Sequence, residues 1–371
     1  MSRKPGDVAP QYEDVDMYMM PSRRMQTKMP WWNPRYWSRK VWIAVVAVVI
    51  IVVVIIVAVA VTVTKKNAYP NYTELSYSLK DTYGGEDFFD NFNYFNTFDP
   101  AHGFVHYVDE PLAKRYSLTY ATEDTAVIKV DTEVGPDSNP DASTGRFSVR
   151  IESKKTYNNG LFIFDVKHTP YGCATWPALW LVDPANWPAH GEIDIMEATN
   201  LADEGNLMTL HTSKDCSMGV KRKMTGSAEH KSCDKDANDN AGCGVAGDKS
   251  SFGTEFNNNG GGVMAVEWRD AGIRMWQFAR DSIPADITSQ KPTPDAWGMA
   301  AADFPSTDCN IGSHFKNNSI IANIDLCGDL AGATYKDTNC PGNCTDLVAN
   351  HPEEFKNAYW EFGKFEVYQT S

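Results

Sequence analysis

Apolar positions along this chain fall into two regimes. Residues 41–64 pass without a single charge and are dominated by Val, Ile and Ala. As a helix that run extends roughly 36 Å, enough to cross a bilayer with tilt. β-Branched residues are mediocre helix formers in water, but in lipid the backbone must bond to itself. Beyond about residue 72 the pattern changes to short apolar or alternating runs separated by Gly, Pro, Asn and Asp. Residues 147–151, 160–166, 178–182, 192–196, 206–211, 262–268, 272–279 and 364–368 are such runs. They predict short strands, and no long stretch carries helical periodicity, so the class is all-β, a sandwich. Segment 213–260 stands apart: it is polar, holds three cysteines and ends in a run of Asn and Gly. It reads as a loop excursion pinned by disulfides.

The flanks of the apolar run give it a direction. Arg23, Arg24, Lys28, Arg35, Arg39 and Lys40 precede it, while only Lys65 and Lys66 follow closely. The positive-inside rule then leaves the N-terminus in the cytosol and everything after residue 66 outside. Trp31, Trp32, Trp37 and Trp42 stand where an interfacial aromatic belt would lie. A cleaved signal peptide is the competing reading, with Ala58 and Ala60 as a small-residue site, but a leader of some 40 residues argues against it. Residues 1–40, rich in Met, Pro, Arg and Tyr without periodicity, read as a disordered cytosolic tail.

Charge and cysteine usage agree with an exposed outer domain. Formal net charge is −14; residues 1–66 contribute ten Lys/Arg and four Asp/Glu, leaving −20 on the remainder by subtraction. Such a body repels polyanions, which excludes nucleic acid as a partner, whereas a neutral sugar polymer meets no barrier. All eight cysteines lie between residues 173 and 344. An even count there indicates disulfides and an oxidising compartment, with the pairing left open. A zinc site at Cys340 and Cys344 is the competing reading, but no CxxC pair or histidine set completes it. Asn71, Asn317 and Asn343 begin glycosylation sequons, all beyond the apolar run. No metal and no cofactor is expected, and the chain is expected to be a monomer.

The candidate chemistry sits in Gly191-Glu192-Ile193-Asp194-Ile195-Met196-Glu197. In a strand, Glu192 and Asp194 share one face while the isoleucines point to the other. Glu197 is an odd step from both, so regular pleating would drive its carboxylate into the apolar side. A β-bulge near Met196 removes that conflict. The two glutamates are then about four strand steps apart, roughly 13 Å between Cα atoms, with carboxyls roughly 5 Å apart if they lean together. A gap of about 5–5.5 Å is the geometry of retaining glycosidases. Crowding three acids also raises at least one pKa, as a general acid needs. The bland alternative is a solvated acidic face. The company of Trp176, Trp180, Trp187 and Trp297 weighs against it, since flat sugar faces stack on such rings. Trp176 is expected to be buried and two or more of the four to line a cleft. His211, after an alternating run, is placed to face the acids from a neighbouring strand.

The 191–197 segment resembles the catalytic signature of glycoside hydrolase family 16 in its bulged laminarinase-type form. The resemblance runs from about Tyr83 to the C-terminus and includes Asp87-Phe-Phe-Asp90, His102-Gly-Phe-Val105, Gly145-Arg-Phe-Ser-Val-Arg150, Cys173-Ala-Thr-Trp-Pro-Ala-Leu-Trp-Leu181, Thr209-Leu-His-Thr-Ser213 and Cys327-Gly-Asp329. It implies a β-jelly-roll sandwich with a concave substrate cleft, in a catalytic domain spanning 83–371. Residues 41–64 then form a transmembrane signal-anchor and residues 65–82 a linker. By that resemblance Glu192 matches the nucleophile, Glu197 the acid/base and Asp194 the assisting residue; Trp180, Trp187, Trp297 and His211 match substrate-binding positions. His190 departs from the pattern, where a small or amide residue is usual. The implied function is retaining hydrolysis of 1,3-β- or mixed 1,3(1,4)-β-glucan at the cell surface or in the secretory lumen. A cell-wall glucan transglycosylase would use the same residues. A non-catalytic glucan-binding module would not need the two glutamates.

Overall fold

The computed structural model describes residues 32–370. The disordered tail expected at 1–40 therefore lies largely outside the described residues; within them, Pro34–Tyr36 forms a 3-10 turn. Helix α1 runs over Arg39–Asn67 and is long and apolar enough over Arg39–Lys65 to cross a membrane. Trp37 and Trp42 meet at its start, ring centroids 5.3 Å apart.

The remainder is a β-sandwich. Its strands are β1 Tyr77–Tyr83, β2 Phe92–Tyr94, β3 Val105–Tyr107, β4 Thr119–Ala121, β5 Ala126–Lys129, β6 Arg146–Ser148, β7 Arg150–Tyr157, β8 Gly160–His168 and β9 Thr175–Val182. They continue as β10 Glu192–Glu197, β11 Leu207–His211, β12 Ser227–Ala228, β13 Val245–Ala246, β14 Gly262–Arg269, β15 Gly272–Ala279, β16 Ala302–Pro305, β17 Asn318–Leu326 and β18 Tyr359–Thr370. One sheet has the order β16-β15-β14-β8-β18-β5-β4, with β1 also on β18; the other runs β12-β13-β11-β10-β9-β17-β7-β2. Pairings within both sheets are antiparallel, so alternate residues of each strand face the core and the outside. Phe162 and Phe164 of β8 pack inward with Ile193, Leu179 and Ile324, while Leu161 and Ile163 belong to a separate outer cluster with Trp276.

Two expectations change. The 65–82 segment is not a free linker: α1 continues to Asn67, and β1 pairs with β18 from Tyr77. Tyr77 donates to buried Glu267 at 2.9 Å and Tyr69 to Asp303 at 3.1 Å, so aromatic hydroxyls dock this polar-looking stretch. Strand β17, central in the second sheet, was not among the expected strands, because Asn and Asp interrupt its apolar alternation. The disulfides are Cys173–Cys340, Cys216–Cys309, Cys233–Cys243 and Cys327–Cys344. Two of them hold the 213–260 excursion, whose short β12 and β13 also extend the second sheet.

Candidate active site

The acids lie on β10, between β9 and β11. Asp194 pairs with Trp180 and Glu197 with Ala178, two residues apart on β9, although Asp194 and Glu197 are three apart on β10. The extra residue is the bulge, and the same shift appears against β11. Glu192, Asp194 and Glu197 thus share the outward face, while Ile193, Ile195 and Met196 are wholly buried. The bulge leaves backbone groups without ladder partners, and the buried Asn206 side chain takes them up. Its Oδ1 accepts from Glu197 N and its Nδ2 donates to Ile195 O, each at 2.9 Å.

Electrostatics separate the three carboxyls. Asp194 is buried, and its pKa is pushed well above the usual range, by loss of solvation first and then by the charges of Glu192 and Glu197. Both effects favour the neutral form of Asp194. Its Oδ2 makes no hydrogen bond among the described residues, and His211 Nε2 lies 3.4 Å away. His211 pairs with Glu192 across the ladder and bonds through Nδ1 to Asn240 Oδ1 at 3.1 Å. Burial lowers its pKa, which favours a neutral imidazole with its proton on Nδ1, towards Asn240. Glu192 and Glu197 are only partly covered. Desolvation raises Glu192 to about 7, against a hydrogen bond from Trp187 and the positive charge of Arg150. Desolvation raises Glu197 too, opposed by the Trp176 indole, whose Nε1 donates to Oε1 at 2.8 Å. The three titrate as one array.

Trp180 lies beside the acids, with its indole donating to Asn323 Oδ1 at 2.8 Å and Arg150 stacked on its ring at 5.0 Å. Trp187 is exposed near Glu192, on the connection from β9 to β10. Trp297 is not brought to this face. It packs edge-on against Trp276 and Phe278 on the outer side of the other sheet, its Nε1 bonded to Asp286. Nor is Trp176 a core residue; it remains partly exposed beside Glu197. Sequence reasoning passed over Arg150, which is 4% exposed, stacked on Phe95 and Trp180 and paired with Glu152 at 2.8 Å. It also passed over Asn206 and Asn323. Their one available signal was an amide within or beside an apolar run, which has to find buried partners. Glu192, Asp194 and His211 offer ligand atoms within 4.8 Å of one another, a spacing that could hold a metal ion.

Comparison with known proteins places this arrangement. The model of the XgeA-like catalytic domain of glycoside hydrolase family 16 matches residues 92–368. A probable glycosidase of Schizosaccharomyces pombe is 43% identical over 309 residues, covering 82% of this chain and 72% of the relative. Among solved structures, the laminarinase 16A of Phanerochaete chrysosporium, bound to 6-O-glucosyl-laminaritriose in donor and acceptor sites, aligns with a TM-score of 0.75 and 44% identity. That alignment covers 79% of this chain and all of the other. An elongating family 16 β-1,3-glucosyltransferase aligns with a TM-score of 0.73 and 39% identity, again covering 79% of this chain and all of the other. The chain spans about half the length of several Aspergillus relatives named as probable endo-1,3(4)-β-glucanases. With its bulged three-acid strand in a matching sandwich, the chain belongs to glycoside hydrolase family 16.

Proposed function

We propose that the outer domain is a retaining endo-β-glucanase acting on 1,3-β- or mixed 1,3(1,4)-β-glucan. The observation that carries this reading is the bulge, which keeps Glu192 and Glu197 on one face across Asp194. Glu192 is the nucleophile and Glu197 the acid/base. Glu197 gives its proton to the glycosidic oxygen as the Glu192 carboxylate attacks the anomeric carbon, forming a glycosyl-enzyme and releasing the leaving sugar. Glu197 then takes a proton from water, which attacks the same carbon and frees Glu192. A protonated Asp194 beside Glu192 adds no second negative charge and can donate to the departing carboxylate. Trp180 and Trp187 offer the apolar platforms that hold sugar rings.

A second reading has its own support. The glucosyltransferase neighbour carries out elongation at 39% identity, so a sugar hydroxyl in place of water would make this chain a transglycosylase. Full-length protein in detergent, incubated with laminarin and barley mixed-linkage glucan, separates the two by product mass. Short products with new reducing ends support hydrolysis; products longer than the donor support transfer. Intact glucan, with folding confirmed, would leave a glucan-binding module. Replacing Glu192 with Gln should reduce turnover by at least about 10³-fold while glucan binding persists, because charge and not shape is lost. Activity within tenfold of wild type would remove Glu192 from its role.

For location, the reading is a type II membrane protein with the domain outside the cytosol, supported by the basic flank before residue 41. Monomeric protein is expected. Asn71 and Asn343 are exposed, with side-chain amide nitrogens free among the described residues, whereas Asn317, though also exposed, donates its amide to Asp183 at 2.9 Å. Enzymatic deglycosylation followed by mass mapping should find glycan at the first two and none at Asn317. An entirely unmodified chain from its native membrane would count against this orientation.

A further inference from the structure

Nine residues join β9 to β10, and Trp187 stands among them. Asp183 opens this connection. It is 5% exposed, and its carboxylate collects four donors. Ala185 N reaches Oδ1 at 3.2 Å. Asn186 Nδ2, His190 Nδ1 and Asn317 Nδ2 reach Oδ2 at 2.9, 2.7 and 2.9 Å. One carboxylate therefore grips the loop before and after Trp187 and ties it to the segment entering β17. The far side is closed equally tightly. Lys316 N donates to His190 O at 3.1 Å, and Asn318 Nδ2 to Gly191 O at 3.3 Å. A Cβ at Gly191, whose φ is +66°, would meet the Phe315 ring at 2.3 Å, so this contact admits only glycine. Burial works against ionisation of Asp183, but the bonds from Asn317, Asn186 and His190 outweigh it and hold its pKa below the ordinary value.

We propose that Asp183, with His190 and Asn317, forms a positioning centre that fixes the loop carrying Trp187, and so sets the grip on the glucosyl unit stacked there. The proposal rests on the glucanase reading for its substrate. None of the three residues touches the reacting atoms. They act through Trp187, whose side chain favours the charged form of Glu192. The other charged or titratable groups facing Glu192 are Asp194 and Glu197 on its own strand, His211 on β11 and Arg150 on β7. All lie outside the 183–191 loop. Loosening the loop should therefore remove the Trp187 contribution and leave theirs in place.

The test uses full-length protein in detergent, with Asp183→Asn, His190→Ala, His190→Asn and Trp187→Phe. Asp183→Asn and His190→Ala are expected to raise KM for laminarin oligosaccharides about tenfold with kcat within about threefold. They should also move the acid limb of kcat/KM to higher pH, because Glu192 loses a side chain that favours its charged form. His190→Asn places an amide donor where Nδ1 stands and should return KM to within about twofold of wild type. Trp187→Phe keeps a ring but no donor, and should reproduce the pH shift with a smaller KM change. Two readouts stand apart from activity: Glu192 titration by carbon NMR, and hydrogen exchange of peptide 184–191. If wild type cleaves no glucan, the functional reading fails, and these two still decide the positioning role. A lowered Tm with KM, acid limb and Glu192 titration unmoved in Asp183→Asn overturns the proposal. Should that variant fail to fold, the difference between His190→Ala and His190→Asn decides it.

Discussion

Glu192 illustrates how a single residue can carry a cost to stability for the sake of chemistry. Desolvation raises its pKa from 4.5 to about 7. A carboxyl whose folded pKa lies above its unfolded one binds more protons when folded, so its contribution weakens the fold as pH rises between the two values. Replacement by Gln removes that penalty. Glu192→Gln should therefore be more stable than wild type at pH 7.5, by about 1–3 kcal/mol, with the advantage shrinking towards pH 4.5. Urea unfolding across that range measures it. A constant difference at all pH values would mean that Glu192 titrates normally. Asp194 and Glu197 are raised in the same direction, so the whole array should contribute to the slope.

At the scale of elements, the bulge on β10 is held by a residue from the entry to β11. Asn206 is 1% exposed and satisfies both Ile195 O and Glu197 N, while its own N–H is bonded to Ser251 Oγ at 2.7 Å. Asn206→Ala would leave a buried carbonyl and a buried amide without partners, a loss of about 2–4 kcal/mol. Because the strand can recover ladder bonds only by shifting register, Glu197 should turn from its face. The expected result is a kcat reduction of at least about 10²-fold in protein that still folds. Wild-type kcat in a destabilised variant would reduce Asn206 to a purely structural part. The bulge itself was legible, since a carboxylate at an odd step from its partners has no other inexpensive place on a half-buried strand. The staple was not, because nothing in the order of residues says which amide arrives from a neighbouring strand.

On the scale of the molecule, the segment following α1 belongs to the sandwich. Tyr72 lies under Arg274, the guanidinium 4.2 Å from the ring centroid, and its hydroxyl occupies the space a Cβ at Gly272 would need. Arg269 donates to Thr73 O at 3.0 Å, and Glu267 receives Tyr77, Arg269 and Arg274 together. Deleting residues 68–83 should uncover this charged cluster and the edge of β18, lowering Tm by roughly 5–10 °C. Thermal unfolding of the deleted and complete chains is the check. Equal Tm values would return the segment to the status of a tether.

Periodicity and charge determined much by themselves: the apolar run, the all-β class, the presence of disulfides and the three acids with their bulge. Each of these depends on local sequence or on bulk composition, which the chain carries before it folds. Tertiary structure alone decided the partners. Trp297 and Trp187 look alike in sequence, yet one packs on Trp276 behind the opposite sheet and the other stands exposed on the connection from β9 to the strand of acids. Trp176, expected in the core, donates instead to Glu197. Likewise the Cys173–Cys340 and Cys216–Cys309 disulfides, the docking of Tyr69 and Tyr72, and the bond from Asn317 to Asp183 join residues far apart in sequence. Such contacts depend on which strands become neighbours and on which face each side chain emerges, and a one-dimensional pattern contains neither.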